Sequence, residues 1–132
     1  MNKELRILIF GPSGAGATTL GYELSKKLTL NLIDSDDLFW LPTSSPYSLK
    51  RSPKEIRDLY SKLTNTNSFI VTGDLLSLKV HWKELHHDFS HLIYLYAPWK
   101  IRKERLIKRE FLRFGERIKD GGDMYHTHLR FL

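Results

Sequence analysis

The stretch Gly11-Pro12-Ser13-Gly14-Ala15-Gly16-Ala17-Thr18-Thr19 constrains this chain more than any other. An apolar run, Leu5 to Phe10, precedes it and reads as a buried strand. Leu20, Leu24 and Leu28 follow at the spacing of one helix face. A strand, a glycine-rich turn and a helix start, in that order, are what a phosphate-binding loop needs. Glycines let the backbone curl so that several N–H groups converge, and the helix N-terminus adds partial positive charge. The spacing is GxxxxG followed by Ala-Thr, where the standard loop has Lys and then Ser or Thr. Gly11, Ser13, Gly14, Ala15, Gly16, Ala17, Thr18 and Thr19 are therefore the expected phosphate-binding residues. Thr18 stands where a hydroxyl would ligand Mg2+, and Ala17 where the phosphate-binding lysine would be. That lysine would neutralise β- and γ-phosphate charge. Backbone donors remain without it, so binding can survive while transfer is weakened. A strand-to-helix turn with no ligand is the competing reading.

The rest of the chain alternates strands and helices. A helix is expected over Thr18–Thr29, closed by Asn31, and a short strand over Asn31–Ile33. Leu38 to Lys50 holds Pro42, Pro46 and several Ser and Thr and reads as a loop. Ser52-Pro53 starts a helix running to about Leu63, with Ile56, Leu59, Tyr60 and Leu63 on one side. Ser68–Thr72 and His91–Tyr96 read as strands, residues 75–89 as an ambiguous helix through Trp82 and Phe89, and Trp99 to about Leu112 as a strong helix broken by Gly115. Such alternation implies an α/β fold, a parallel sheet of about four strands flanked by helices in one domain over residues 1–132. Ligands of such sheets sit beyond the strands' C-terminal ends. Three polar groups occur there in the linear reading: the glycine loop, Asp34-Ser35-Asp36-Asp37 and Gly73-Asp74.

If the backbone stays extended, Asp34 and Asp36 face one side. One of the two carboxylates could hold a hydrated Mg2+ and the other accept a proton from a substrate hydroxyl. A turn-and-cap role for the pair is the alternative. Asp37 reads as a cap or surface residue, and Asp74 equally as a metal-side carboxylate or a helix start. Phe39-Trp40-Leu41-Pro42 could line a pocket, but at least one of these residues is expected in the core. The six histidines suggest no metal site.

Charge is concentrated near the C-terminus. Net charge is +6, and Lys100 to Lys119 holds nine Lys or Arg against three Glu, while the rest carries twelve of each sign. Arg102, Arg105, Arg109 and Arg113 share one narrow face of an ideal helix, with Ile107, Phe111 and Phe114 on an expected buried stripe opposite. Guanidinium forks suit phosphate oxygens, and some could supply the charge that Ala17 does not. A solvated face paired with Glu104 and Glu110 is the alternative. The absence of cysteine excludes a disulfide framework and a thiolate metal site. No run is long enough to span a bilayer, and the N-terminus lacks a signal-peptide core, so the chain reads as cytoplasmic with no membrane partner.

With the loop GPSGAGATTLG, the acidic segment DSDDLFWLP and the stretch RFGERIKDGGDMY in view, the chain resembles the P-loop small-molecule kinases around adenylate, shikimate and gluconate kinases. It is most similar to uncharacterised bacterial relatives of AAA-family or adenylate-kinase-like ATPase type that lack the loop lysine. The resemblance covers nearly the whole chain. It implies a P-loop kinase fold, ATP or a related nucleotide with Mg2+ as cofactors, and a small-molecule acceptor. It also implies that acids like Asp34 and Asp36 serve metal and acceptor, and that the basic segment 102–122 resembles an arginine-bearing lid. Arg109 and Arg113 would then neutralise transferred charge. Relatives continue to a fifth strand whose loop helps hold adenine, so the base-binding part is expected to be absent from this chain. The leading expectation is a kinase-like phosphotransferase. A non-catalytic binder of a nucleotide or phosphorylated metabolite is second, and a nucleic-acid-binding module on the arginine helix ranks last.

Overall fold

A computed structural model describes residues 4–43, 49–73 and 89–130. The chain divides into two compact units, one comprising Met1–Pro12 and Gly16–Leu95, the other Ser13–Ala15 and Tyr96–Leu132.

The first unit is built on a parallel sheet of four strands, β1 (Arg6–Phe10), β2 (Asn31–Asp34), β3 (Phe69–Thr72) and β4 (His91–Tyr94), in the order β2-β3-β1-β4. Parallel strands require crossover connections, and the helices between them provide some. The two central strands carry the most complete burial. Leu8, Ile9, Ile70 and Val71 are all fully buried, as expected for a parallel sheet covered on both faces. Each contributes roughly 1.5–3 kcal/mol by leaving water.

Alternation along the strands divides the core in two. Ile7, Ile9 and Ile70 form one cluster, against which Ala17, Leu20 and Leu24 pack. The last three belong to helix α1 (Ala17–Leu28). Leu8, Ile33, Leu38, Ile56, Tyr60, Phe69 and Val71 form the other, which takes in helices α2 (Ser35–Phe39) and α3 (Pro53–Leu63). Gly21 lets α1 approach the sheet closely, because a Cβ there would overlap the Thr72 methyl group and come within 3.1 Å of Leu32 Cδ1.

Several boundaries differ from the sequence expectation. Helix α1 closes on Thr29, which takes the left-handed conformation at φ 55° and donates its N–H to the Ser25 carbonyl, so Asn31 opens β2 and does not end the helix. The run after β2 is helical through Phe39, so the loop begins at Trp40. Arg51 fixes this turn, its Nη1 donating to the Asp37 and Trp40 carbonyls at 2.7 and 2.8 Å. Phe39 packs on the core as expected of that aromatic run. Helix α3 has the predicted Ser52 cap, here a full capping box: Glu55 N–H donates to Ser52 Oγ and Ser52 N–H to Glu55 Oε1, both at 3.2 Å. Ile56 and Tyr60 are buried, but Leu63 lies in the last turn and is exposed. The helix expected over 75–89 lies almost wholly outside the described residues, and Asp74 also falls outside them.

The second unit contains helix α4 (Trp99–Phe114), a 3-10 turn over Gly115–Ile118 and helix α5 (Tyr125–Arg130). The apolar stripe of α4 is not where sequence placed it. Ile107 and Phe111 are exposed, and the buried side chains are Leu106 and Glu110. With half-buried Arg102 and Phe114 these form an i, i+4, i+8, i+12 line. A charged residue on that line explains the error: Glu110 is buried and paired with the neighbouring Arg109, and hydrophobicity alone cannot reveal such a position. Beyond the 3-10 turn, Arg117 makes a two-pronged ion pair with Asp123, both contacts 2.8 Å. The Arg117 guanidinium holds the Asp123 carboxyl below the usual aspartate range.

Candidate functional site

The glycine loop adopts a curled path. Gly14 and Gly16 lie at φ 84° and 102°, a region that side-chain-bearing residues rarely adopt. Gly16 is the N-cap of α1 and offers no side chain to the helix. Among the described residues, no acceptor meets the N–H groups of Gly16, Ala17, Thr18 and Thr19. These are the donors a helix start leaves free. Among the described residues, nothing stands within 4 Å of where a Cβ on Gly16 would be, so none of their side chains fills the turn there.

Asp34 ends β2 beside Thr72 of β3, and Thr72 in turn pairs with Ile9 of β1. The Asp34 carboxylate does two things. Its Oδ1 caps α2 by accepting the Asp36 N–H at 3.0 Å, and its Oδ2 accepts the Thr18 hydroxyl at 3.4 Å. Gly21 follows Thr18 by three residues on the same helix face, so the close approach of α1 to the sheet at Gly21 also carries Thr18 to the strand end. Thr72 is fully buried and its Oγ1 meets no hydrogen-bond partner among the described residues. An orphaned hydroxyl in register with a carboxylate marks a place suited to water or a ligand.

Thr18 and Asp34, the two expected metal-side groups, are thus brought together. Both are oxygen donors, the type Mg2+ requires, and Mg2+ sites usually take only one or two protein groups besides water and phosphate. The pair fits that role. No cluster of three His, Cys, Asp or Glu suited to a metal occurs among the described residues. Asp36 does not share an extended strand with Asp34, because the helix begins at Ser35 and turns Asp36 into its first turn. The extended-backbone premise is therefore wrong. Asp36 and Asp37 are both exposed on α2, and Ser35 between them and Asp34 is buried. Ala17 packs its methyl group against the Ile7, Ile9 and Ile70 cluster.

In the second unit, residues Ser13–Ala15 of the loop meet α4. Arg102 Nη1 donates to the Ser13 carbonyl at 3.3 Å, and Arg105 Nη1 to the Gly14 and Ala15 carbonyls at 3.2 and 3.5 Å. Arg102 Nε also donates to the Ala97 carbonyl at 2.8 Å, and its guanidinium lies 5.0 Å from the centre of the Trp99 ring. A Cβ on Gly14 would stand 2.8 Å from the Arg102 carbonyl oxygen, so glycine is needed there for space as well as conformation. Arg109 is turned to Glu110 at 3.2 Å.

No known family profile matches the chain. It is 37% identical over 134 residues to the uncharacterised protein YqaC of Bacillus subtilis (strain 168), spanning 100% of this chain and 70% of that protein. The chain belongs to the YqaC family. This YqaC-family chain is also 28% identical over 132 residues to shikimate kinase from Francisella tularensis subsp. novicida, across 89% of the chain and 73% of the kinase. In three dimensions it resembles a gluconokinase from Sinorhizobium meliloti 1021, with a TM-score of 0.54 at 16% identity, across 100% of the chain and 77% of the gluconokinase. That likeness is one of fold, carried in this chain by four parallel strands flanked by helices.

In the YqaC-family chain, the arginine stripe foreseen in the sequence includes two residues whose contact with the loop sequence reasoning did not single out. Arg102 and Arg105, not Arg109 and Arg113, meet loop carbonyls. Their signal was position: of the four, they lie nearest the start of α4. Thr72 was missed because a threonine inside an apolar strand reads as ordinary strand composition.

Proposed function

We propose that this chain binds a nucleotide, ATP or a close relative, with Mg2+ at Gly11–Thr19, and acts as a kinase-like phosphotransferase on a small hydroxyl or phosphate acceptor. The observation that carries this reading is the meeting of Thr18 with Asp34, next to a helix start whose first N–H groups meet no acceptor among the described residues. A bare strand-to-helix turn needs neither feature. The names of the relatives, shikimate kinase and gluconokinase, support the same reading.

In this account the N–H groups of Gly14, Gly16, Ala17, Thr18 and Thr19 hold phosphate oxygens. Thr18 and Asp34 would hold the Mg2+, which supplies charge neutralisation to the transferring phosphoryl group. Asp36, exposed on the first turn of α2, orients the acceptor and takes its proton. Arg109 and Arg113 offset charge on the transferred group.

A second reading, a binder without turnover, draws on Ala17. Its methyl group is part of the apolar packing, and no ammonium reaches the phosphates from that position. Calorimetric titration of the parent chain with ATP and Mg2+, followed by a search for ADP release with hydroxyl acceptors, tests both. Saturable heat with ADP release supports transfer, heat alone supports the second reading, and no heat at millimolar nucleotide defeats the site.

A further inference from the structure

We propose that Arg102 and Arg105 are positioning residues that deliver the missing lysine's charge to the loop through its peptide groups. This deepens the nucleotide reading and rests on it. The two guanidiniums donate to the carbonyls of Ser13, Gly14 and Ala15. Those carbonyls belong to three successive peptide units whose N–H ends are those of Gly14, Ala15 and Gly16. No cis peptide occurs among the described residues, so each N–H points away from its own C=O. A cation bonded to the carbonyl end therefore turns the N–H end away from the arginine. It also polarises that N–H, because hydrogen bonds in series strengthen one another.

The two arginines divide the task. Arg102 is half-buried and fixed three ways, by Ala97, Ser13 and the Trp99 ring. It sets the Ser13–Gly14 peptide, and the missing Cβ of Gly14 is what lets its backbone come so near. Arg105 is exposed, and its contacts at 3.2 and 3.5 Å are longer than the usual charged hydrogen bond. Arg105 polarises the next two peptides without holding the helix in place. A lysine at position 17 would act on phosphate directly. Here the positive charge acts one peptide away, on N–H groups of which those of Gly14 and Gly16 then act on phosphate.

The test uses Arg105→Gln, which removes an exposed charge, and Arg102→Lys, which keeps charge but loses the planar fork. Ligand-free protein is first examined by 15N–1H NMR. Arg105→Gln is expected to move the Ala15 and Gly16 amide nitrogens upfield and leave Gly14 in place, whereas Arg102→Lys moves Gly14. A guanidinium that only touched bound phosphate would move none of them, and unchanged amides overturn the proposal. Calorimetry with inorganic pyrophosphate and with ATP then follows. Arg105→Gln should weaken both by roughly tenfold at unchanged melting temperature, the scale of one charge-assisted bond. Parent-like affinity in Arg105→Gln overturns the relay and leaves the nucleotide site standing. A parent chain that binds neither ligand defeats the nucleotide reading itself, and the relay with it.

Discussion

Thr18 Oγ1 donates to Asp34 Oδ2 across 3.4 Å, joining the first turn of α1 to the end of β2. They lie sixteen positions apart in the chain, and both lie where a parallel sheet presents its ligands. If the pair serves a cation, Asp34→Asn and Thr18→Val should each weaken ATP binding in Mg2+ by roughly tenfold, near 1.4 kcal/mol. Affinity measured without Mg2+ should barely change. Calorimetry with and without the ion reads this directly, and an equal loss in both conditions would assign the pair to scaffold alone.

Position 17 separates a working enzyme from a lapsed one. Ala17→Lys restores the standard loop sequence and should raise ATP turnover by about tenfold or more, equivalent to at least 1.4 kcal/mol of barrier. Coupled ADP release measures it. Turnover confined to the variant would mark the parent as a binder. Because Ala17 lies against the Ile7, Ile9 and Ile70 cluster, the same substitution should lower the melting temperature.

Gly14 and Gly16 both have positive φ, but their surroundings differ. Gly16→Ala meets open space, so it should cost only the conformational strain of about 1–2 kcal/mol. Gly14→Ala adds a clash with the Arg102 backbone and should cost more. Denaturant unfolding of the two variants ranks them. Equal losses would mean that α4 does not press on Gly14 in solution.

The capping box of α3 makes a pH-dependent contribution. Hydrogen bonds from Ser52, backbone first and side chain second, hold the Glu55 carboxyl below its ordinary value. A carboxyl lowered on folding adds stability that is fully present above the ordinary glutamate range and is lost as pH falls through the lowered value. Glu55→Gln should therefore lower stability slightly at neutral pH, converge with the parent in acid and flatten the acid side of the stability curve. Ser52→Ala should cost about 1 kcal/mol at neutral pH. Thermal melts across the acid range check both.

What sequence revealed followed from strong local signals. Arg6–Phe10 was legible because an apolar run ahead of glycines has few alternatives. Pro53–Leu63 was legible because Ser-Pro starts a helix in a recognised way. Helix α2 was not: five residues are too few for periodicity, and Asp34-Ser35-Asp36-Asp37 fits a turn equally well. Leu38 is fully buried within it, yet beside prolines it read as loop. The inward line of α4 was hidden because Glu110, a charged residue, lies on it. Thr18 and Asp34 were each nominated from sequence, but their meeting depends on the packing of α1 over Gly21, which no local pattern encodes.

The central claim is that main-chain N–H groups at the start of α1 hold phosphate. A 15N–1H NMR titration of the parent chain with inorganic pyrophosphate tests it residue by residue. The account predicts that the amides of Gly14, Gly16, Ala17, Thr18 and Thr19 shift furthest and saturate together. Saturable shifts elsewhere, with these five amides unmoved, would contradict it.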